Sequence, residues 1–207
     1  LSDHPLVRHG VRELFGRRED LRWVADADCS DDGIKLVAEH CADLVLIDIS
    51  QPIRSALSCV RRLRASHGEL RILAMAAHPE WLLGMRTLRA GANGFVHKGE
   101  SLDELTLAAK LTAQGHGYIA QSALSRLVNT PVAAPDDHPL VQLSDCELDV
   151  FYYLAEGVSV SRIKERLNIT DKAVRNYKSR VSRKLGLDAS DFAQYLASLS
   201  EYAPSYT

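Results

Sequence analysis

No stretch of this 207-residue sequence approaches the roughly 18 consecutive apolar residues that a membrane-spanning helix requires. The first twenty residues carry Asp3, Arg8, Arg12 and Arg17 where a secretory leader would hold an apolar core, so neither an anchor nor an export signal is expected and the chain reads as cytoplasmic. Cysteine is sparse. Cys29, Cys41, Cys59 and Cys146 form no CxxC pair and no regular spacing, which excludes a zinc ribbon and a disulfide framework and leaves reduced thiols as the simplest reading. A glycine-rich phosphate loop is also missing. With 46% hydrophobic and 25% charged residues the composition is that of an ordinary globular protein, which rules out disorder, collagen and coiled coil.

A net charge of −2 does not announce nucleic-acid binding. The distribution of charge says more. Residues 1–118 are balanced, with 15 basic and 16 acidic groups, whereas 162–184 hold nine basic residues against Glu165 and Asp171, a local +7. The N-terminal part alternates short apolar runs at 21–26, 43–48, 70–75 and 93–97 with helical patterns near 5–16, 32–41, 54–66, 79–90 and 102–114. That alternation predicts a parallel sheet covered by helices. Asp31 and Asp32 are cap candidates for the second helix, and Ser101 with Glu104 forms a capping-box pattern. Residues 129–142, with three prolines and no periodicity, suit a linker. Beyond it, 145–156, 159–167, 171–185 and 189–199 show helical spacing, with Gly157 and Gly186 as stops, and residues 200–207 suit a mobile tail.

A parallel α/β sheet places its ligand site outside the carboxyl ends of its strands. Three charged side chains fall there: Asp3, Asp48 and Lys98. Asp48 closes the most apolar run, LVLIDIS, where an acid is costly unless a cation or a reaction occupies it. Two carboxylates facing a lysine suit a hard ion such as Mg²⁺, and a carboxylate can act as nucleophile toward phosphorus. A structural ion pair between Asp48 and Lys98 explains the same residues equally well.

The segments SDHPLVRHGVRELF (2–15), DLVLIDISQP (43–52), GANGFVHKGES (91–101) and LSDCELDVFYYLAEGVSVSRIKERLNITDKAVRNYKSRVSRKLGL (143–187) together resemble a two-component response regulator of the NarL/FixJ class. The resemblance covers nearly the whole chain and implies a flavodoxin-like α/β receiver with a five-stranded parallel sheet over 1–118, its first strand truncated. A helix and linker would follow at 119–142, then an all-α four-helix LuxR-type helix-turn-helix domain at 143–207. It further implies Asp48 as phosphoacceptor, Asp3 with Asp48 as Mg²⁺ ligands beside a backbone carbonyl near Ser50, Lys98 as partner of the phosphoryl group and Phe95 as the aromatic switch position. No other cofactor is expected. Because little chain precedes the first helix and the sequence opens on Leu1, residues upstream of Leu1 are expected in the natural protein.

Several positions depart from that family's pattern. The acid pair before His4-Pro5 is Ser2-Asp3, so one carboxylate of the metal site is missing and Mg²⁺ should bind weakly or not at all. The hydroxyl residue ending the fourth strand is Ala76, and the glycine four residues past Pro52 is Ala56. Without a hydroxyl at 76, one charge-assisted hydrogen bond of about 1.5–3 kcal/mol is unavailable to a phosphorylated state, comparable with a whole allosteric coupling energy of about 1–3 kcal/mol. Weakened coupling of phosphate to output is therefore expected, with a phosphorylation-independent dimerisation or partner-binding platform as the alternative. A phosphatase-like enzyme on the same sheet is less favoured, since nothing supplies a general acid beside Asp48.

In the C-terminal part, SVSRIKERL, NIT and DKAVRNYKSRVSRKL read as helix, turn, helix, with Thr170 as cap. The resemblance places Arg175, Asn176 and Ser179 at base-facing positions and Thr170, Lys172, Lys178, Arg180 and Lys184 within reach of phosphates. Arg175 suits guanine and Asn176 adenine. Val160-Ser161 and Lys164 depart from the usual residues of the helix before the turn. Glu147 reads best as a cap or ion-pair residue. Double-stranded DNA, a second copy of the chain and a sensor histidine kinase are the implied partners, and no membrane. The last helix carries an apolar stripe of Phe192, Leu196 and Leu199 that suits internal packing or a two-fold interface. His78, His97 and His116 near strand ends lack a second ligand at metal spacing.

Overall fold

The computed structural model describes residues 1–50, 52–77, 80–120 and 139–201, and they belong to two compact units. In the first, α1 (Pro5–Gly16), α2 (Asp31–Glu39), β1 (Leu44–Ile49), α3 (Ile53–Ser66), β2 (Arg71–Ala76), α4 (Glu80–Ala90), β3 (Gly94–His97), α5 (Leu102–Ala113) and β4 (Tyr118–Ile119) follow in order. The strands lie in sequence order and pair in parallel throughout. Each strand is therefore joined to the next by a helix, the connection a parallel pair demands. Apolar residues on both faces of β1 and β2 follow from that covering, with Ile47, Ile72, Leu73 and Ala74 fully buried.

Among the described residues four strands form where five were expected. Residues 21–26 have the apolar content of a strand but no ladder, because the chain beside that edge of β1 is Leu1–Ser2, which makes only isolated links. The Asp48 N–H donates to the Leu1 carbonyl (2.9 Å) and the Ser2 N–H to the Ala27 carbonyl (3.0 Å). A strand exists only where a neighbour completes its hydrogen bonds. Leu21 and Trp23 still pack on the core around Phe15, Leu73 and Val96. The cap of α2 also differs from expectation. Ser30 is the N-cap, its hydroxyl accepting the Gly33 N–H, and Asp31 and Asp32 occupy the first turn, where their charge complements the helix N-terminus. Ser101 caps α5 as anticipated.

The second unit holds a short 3₁₀ turn (Pro139–Gln142), α6 (Asp145–Ala155), α7 (Val160–Leu167), α8 (Asp171–Leu185), a 3₁₀ turn (Ala189–Asp191) and α9 (Phe192–Glu201). Its four α-helices are those anticipated from the periodicity. Ser144 and Glu147 close a full capping box on α6. Val150, Tyr153, Ile163, Leu167 and Val174 form the core on which α6, α7 and α8 converge. Phe192 is buried at 5.4 Å from Phe151, ring centre to ring centre, so this member of the α9 stripe packs internally. The side chains of Leu196 and Leu199, His78, residues 129–138 of the linker and residues 202–207 of the tail lie outside the described residues.

Candidate functional site

The strand register gathers one set of candidates at the carboxyl end of the sheet. Asp48 sits opposite Met75, Ile49 opposite Ala76 and Ala76 opposite His97, while Lys98 follows β3 directly, its N–H donating to the Ala76 carbonyl (2.8 Å). Asp48, Ala76 and Lys98 thus line one rim. Asp48 is almost wholly buried, at 1% exposure. Its Oδ1 lies 2.6 Å from the Lys98 Nζ, a close ion pair that is not aligned as a hydrogen bond, and its Oδ2 accepts a 2.7 Å hydrogen bond from the Ser2 hydroxyl. A buried carboxylate is tolerable only with such partners. Ser2 is itself buried and tethered, since its Oγ accepts the His4 N–H (3.1 Å) and its carbonyl accepts from Arg8 (2.6 Å).

Asp3 points its chemistry elsewhere. Its Oδ1 accepts the Cys29 backbone N–H at 3.1 Å, and the residue is exposed. Among the described residues no three His, Cys, Asp or Glu side chains gather where they could hold a metal ion. Asp48 contributes a single carboxylate whose two oxygens are already engaged by Ser2 and Lys98. The donor set therefore does not fit the Mg²⁺ site that the expected Asp3–Asp48 pair would make. Ala76 and Phe95 are both fully buried. The Phe95 ring lies so close to α4 that a Cβ on Gly84 would come within 3.0 Å of it. The Nδ1 of His97 accepts the Gly99 N–H (3.0 Å), a local turn contact.

In the second unit, the N-cap Thr170 accepts the Ala173 N–H (3.2 Å), starting α8 after a turn that Asn168 enters in the left-handed conformation (φ 49°). Val174 and Val181 face inward. Lys172, Arg175, Asn176, Lys178, Ser179, Arg180 and Arg183 are exposed, so the basic residues of the helix occupy its outer surface. Lys164 on α7 pairs with Asp171 (3.2 Å), which ties the two helices across the turn. Lys184 stands apart from the other cations. Its Nζ is 2.6 Å from Glu147 Oε2 and donates to the Gln142 carbonyl at 2.9 Å, which makes it a brace between α8 and the cap of α6. Burial pushes the Glu147 carboxyl up, but Lys184 and the Ser144 donors outweigh it and hold it below the usual carboxylate range.

Residues 1–110 match the family model for the response regulator receiver domain, and residues 141–191 match that for bacterial regulatory proteins of the luxR family. The chain belongs to the response regulators that join a receiver to a LuxR-type helix-turn-helix. It is 30% identical over 206 residues to the Fimbriae Z protein of Salmonella typhimurium, covering 100% of this chain and 95% of that one. With the response regulator UvrY of Escherichia coli it shares 28% identity over 198 residues, 95% of this chain and 91% of the relative. Its fold is also that of RcsB from Salmonella enterica serovar Typhimurium, solved bound to promoter rprA in the presence of phosphomimetic BeF3-. That similarity has a TM-score of 0.66 at 20% identity, over 95% of each chain. Among the described residues no helix is long and apolar enough to cross a membrane.

Proposed function

We propose that this chain is a cytoplasmic transcription regulator that binds double-stranded DNA as a homodimer, through α8, under control of its receiver. The exposed basic surface of α8, set behind a capped helix-turn-helix, is the observation that carries this reading. Arg175, Asn176 and Ser179 lie on the half of the helix that enters a major groove, where Arg and Asn read guanine and adenine edges. Lys172, Lys178 and Arg180 supply phosphate contacts, with Thr170 at the helix start. Lys184 contributes less to DNA than the other lysines, because Glu147 and the Gln142 carbonyl already hold its ammonium. RcsB bound to a promoter supports the DNA reading by analogy of fold.

Asp48 is the phosphoacceptor in this proposal, with a sensor histidine kinase as donor, and the role is regulatory rather than enzymatic. To attack phosphorus, an Asp48 oxygen must give up the Ser2 hydrogen bond or the Lys98 contact, and among the described residues no second carboxylate joins it to hold Mg²⁺. Once phosphorylated, the pocket offers Lys98 but no hydroxyl at position 76. Weak coupling of phosphate to output follows. The Ser2–Asp48 bond also favours a second reading, in which the receiver is a phosphate-independent platform for dimerisation. Intact mass after incubation with Mg²⁺ and acetyl phosphate, for the parent and Asp48→Asn, separates the two. An adduct on the parent alone supports the acceptor, while no adduct on either protein, with normal DNA binding, supports the platform. Unchanged affinity of a folded Arg175→Ala variant for DNA selected from a random pool would overturn the assignment of α8.

A further inference from the structure

The acid that opens α8 stands beside the residue assigned to base reading. Asp171 is the first residue of the helix and Arg175 follows four positions later, so both lie on one face. An Asp at position i with an Arg at i+4 is a favourable pairing, and its order here agrees with the helix dipole. Yet the two are not paired. Asp171 Oδ1 lies 3.2 Å from the Lys164 Nζ on α7, and among the described residues Arg175 makes no ion pair. Arg175 is exposed, its guanidinium left to whatever approaches the helix from outside. The turn itself places Lys164 for this. Its carbonyl accepts the Ile169 N–H at 3.1 Å as the chain leaves α7, while its side chain crosses to the first residue of α8. One residue therefore closes the turn through its backbone and draws the acid of the next helix back toward α7.

We propose that Lys164 is a positioning residue for sequence recognition: by holding Asp171 it keeps the Arg175 guanidinium available to a guanine edge. The inference rests on the reading of α8 as the helix that enters the major groove, and it adds a residue of α7 to that site. An aspartate carboxylate and the O6 and N7 of guanine each take two parallel N–H bonds from arginine, so they compete for the same donors. Without Lys164, Asp171 becomes the competitor inside the chain. Capture of Arg175 weakens binding to the preferred base pair and leaves binding to the wrong one as it was, because Arg175 contributes little there. The ratio of the two affinities therefore reports the position of Asp171.

The test is fluorescence anisotropy of the whole chain, at fixed salt, on DNA selected from a random pool and on copies carrying each single base-pair change. The Arg175→Ala variant marks the position at which discrimination collapses. At that position Lys164→Ala is expected to lower the ratio of affinities for selected over changed DNA about twofold, the strength of an exposed i,i+4 pair, with the other positions unaffected. Lys164→Arg, which keeps the partner of Asp171, restores the ratio. So does Lys164→Ala combined with Asp171→Asn, which removes the competitor. A lost phosphate contact or a loosened turn weakens binding to every sequence together and cancels from the ratio. Lys164 and Asp171 are both partly exposed, so these substitutions leave the core packed. An unchanged ratio in Lys164→Ala, or a loss that persists in the combined variant, would overturn the proposal while leaving α8 in its role. If Arg175→Ala marks no position, the reading of α8 itself falls and the proposal with it.

Discussion

Replacing Ser2 by Ala isolates the buried hydrogen bond between Ser2 and Asp48. The Ser2 hydroxyl is 2% exposed as a residue and its acceptor Asp48 has a wholly buried side chain, so water cannot substitute for the lost donor. A hydrogen bond to a charged group contributes about 1.5–3 kcal/mol. The His4 N–H that bonds the same Oγ at 3.1 Å loses its acceptor too, adding about 0.5–1 kcal/mol. The expected loss is therefore about 2–4 kcal/mol, and with a urea dependence of about 2 kcal/mol/M it lowers the unfolding midpoint by about 1–2 M. Trp23 and Trp81, the only two tryptophans, both lie in the N-terminal part of the chain, so their fluorescence reports the unfolding of this unit alone. Repeating the substitution in an Asp48→Ala background should shrink the loss by at least half if it resides in the Ser2–Asp48 bond. A midpoint within about 0.3 M of the parent, or an undiminished loss in the double variant, would refute the reasoning.

Ser2→Asp places a second carboxylate against Asp48, so we expect destabilisation in EDTA and recovery with millimolar Mg²⁺. The gain should reach about 2.7 kcal/mol at a hundredfold excess over the dissociation constant. Melts at both conditions check it, and magnesium-independent stability would count against the shared site. Lys184→Met should cost about 1–2 kcal/mol, between the values for exposed and buried pairs, with little effect on DNA affinity, measured by urea melts and fluorescence anisotropy. Because the folded Glu147 is a stronger acid than when unfolded, its stabilisation is complete above about pH 4.3 and disappears as pH falls through its lower folded value. Acid-limb melts of the parent should therefore be steeper than those of Glu147→Gln. Lys178→Ala should weaken binding to all sequences alike and reduce the salt slope by about one, whereas Arg175→Ala should relax discrimination at one base pair. Anisotropy titrations at several salt concentrations distinguish these outcomes.

Much of this architecture was legible from the residues. The βα alternation, the four C-terminal helices and the rim position of Asp48 and Lys98 follow from periodicity and from where apolar runs end. What escaped is tertiary. Ser2 could be read as a missing carboxylate, but its bond to a side chain 46 positions away requires the folded sheet. Residues 21–26 have the makings of a strand and lack only a partner, which no local pattern reveals. The two-residue β4 is too short for any periodicity to register. By sequence Lys184 is one more cation of a basic helix, and the residue that marks its second contact is Glu147, an acid in the first turn of α6 that also serves the cap.

The absence of a side chain at Gly84 has a mechanical consequence. Most helices rest on a sheet through a cushion of side chains whose rotamers absorb small displacements beneath them. Here the backbone of α4 bears directly on the Phe95 ring, with the space of a single Cβ already taken. No side chain at position 84 stands between helix and ring, so a shift of the buried Phe95 ring toward α4 has no rotamer there to take it up.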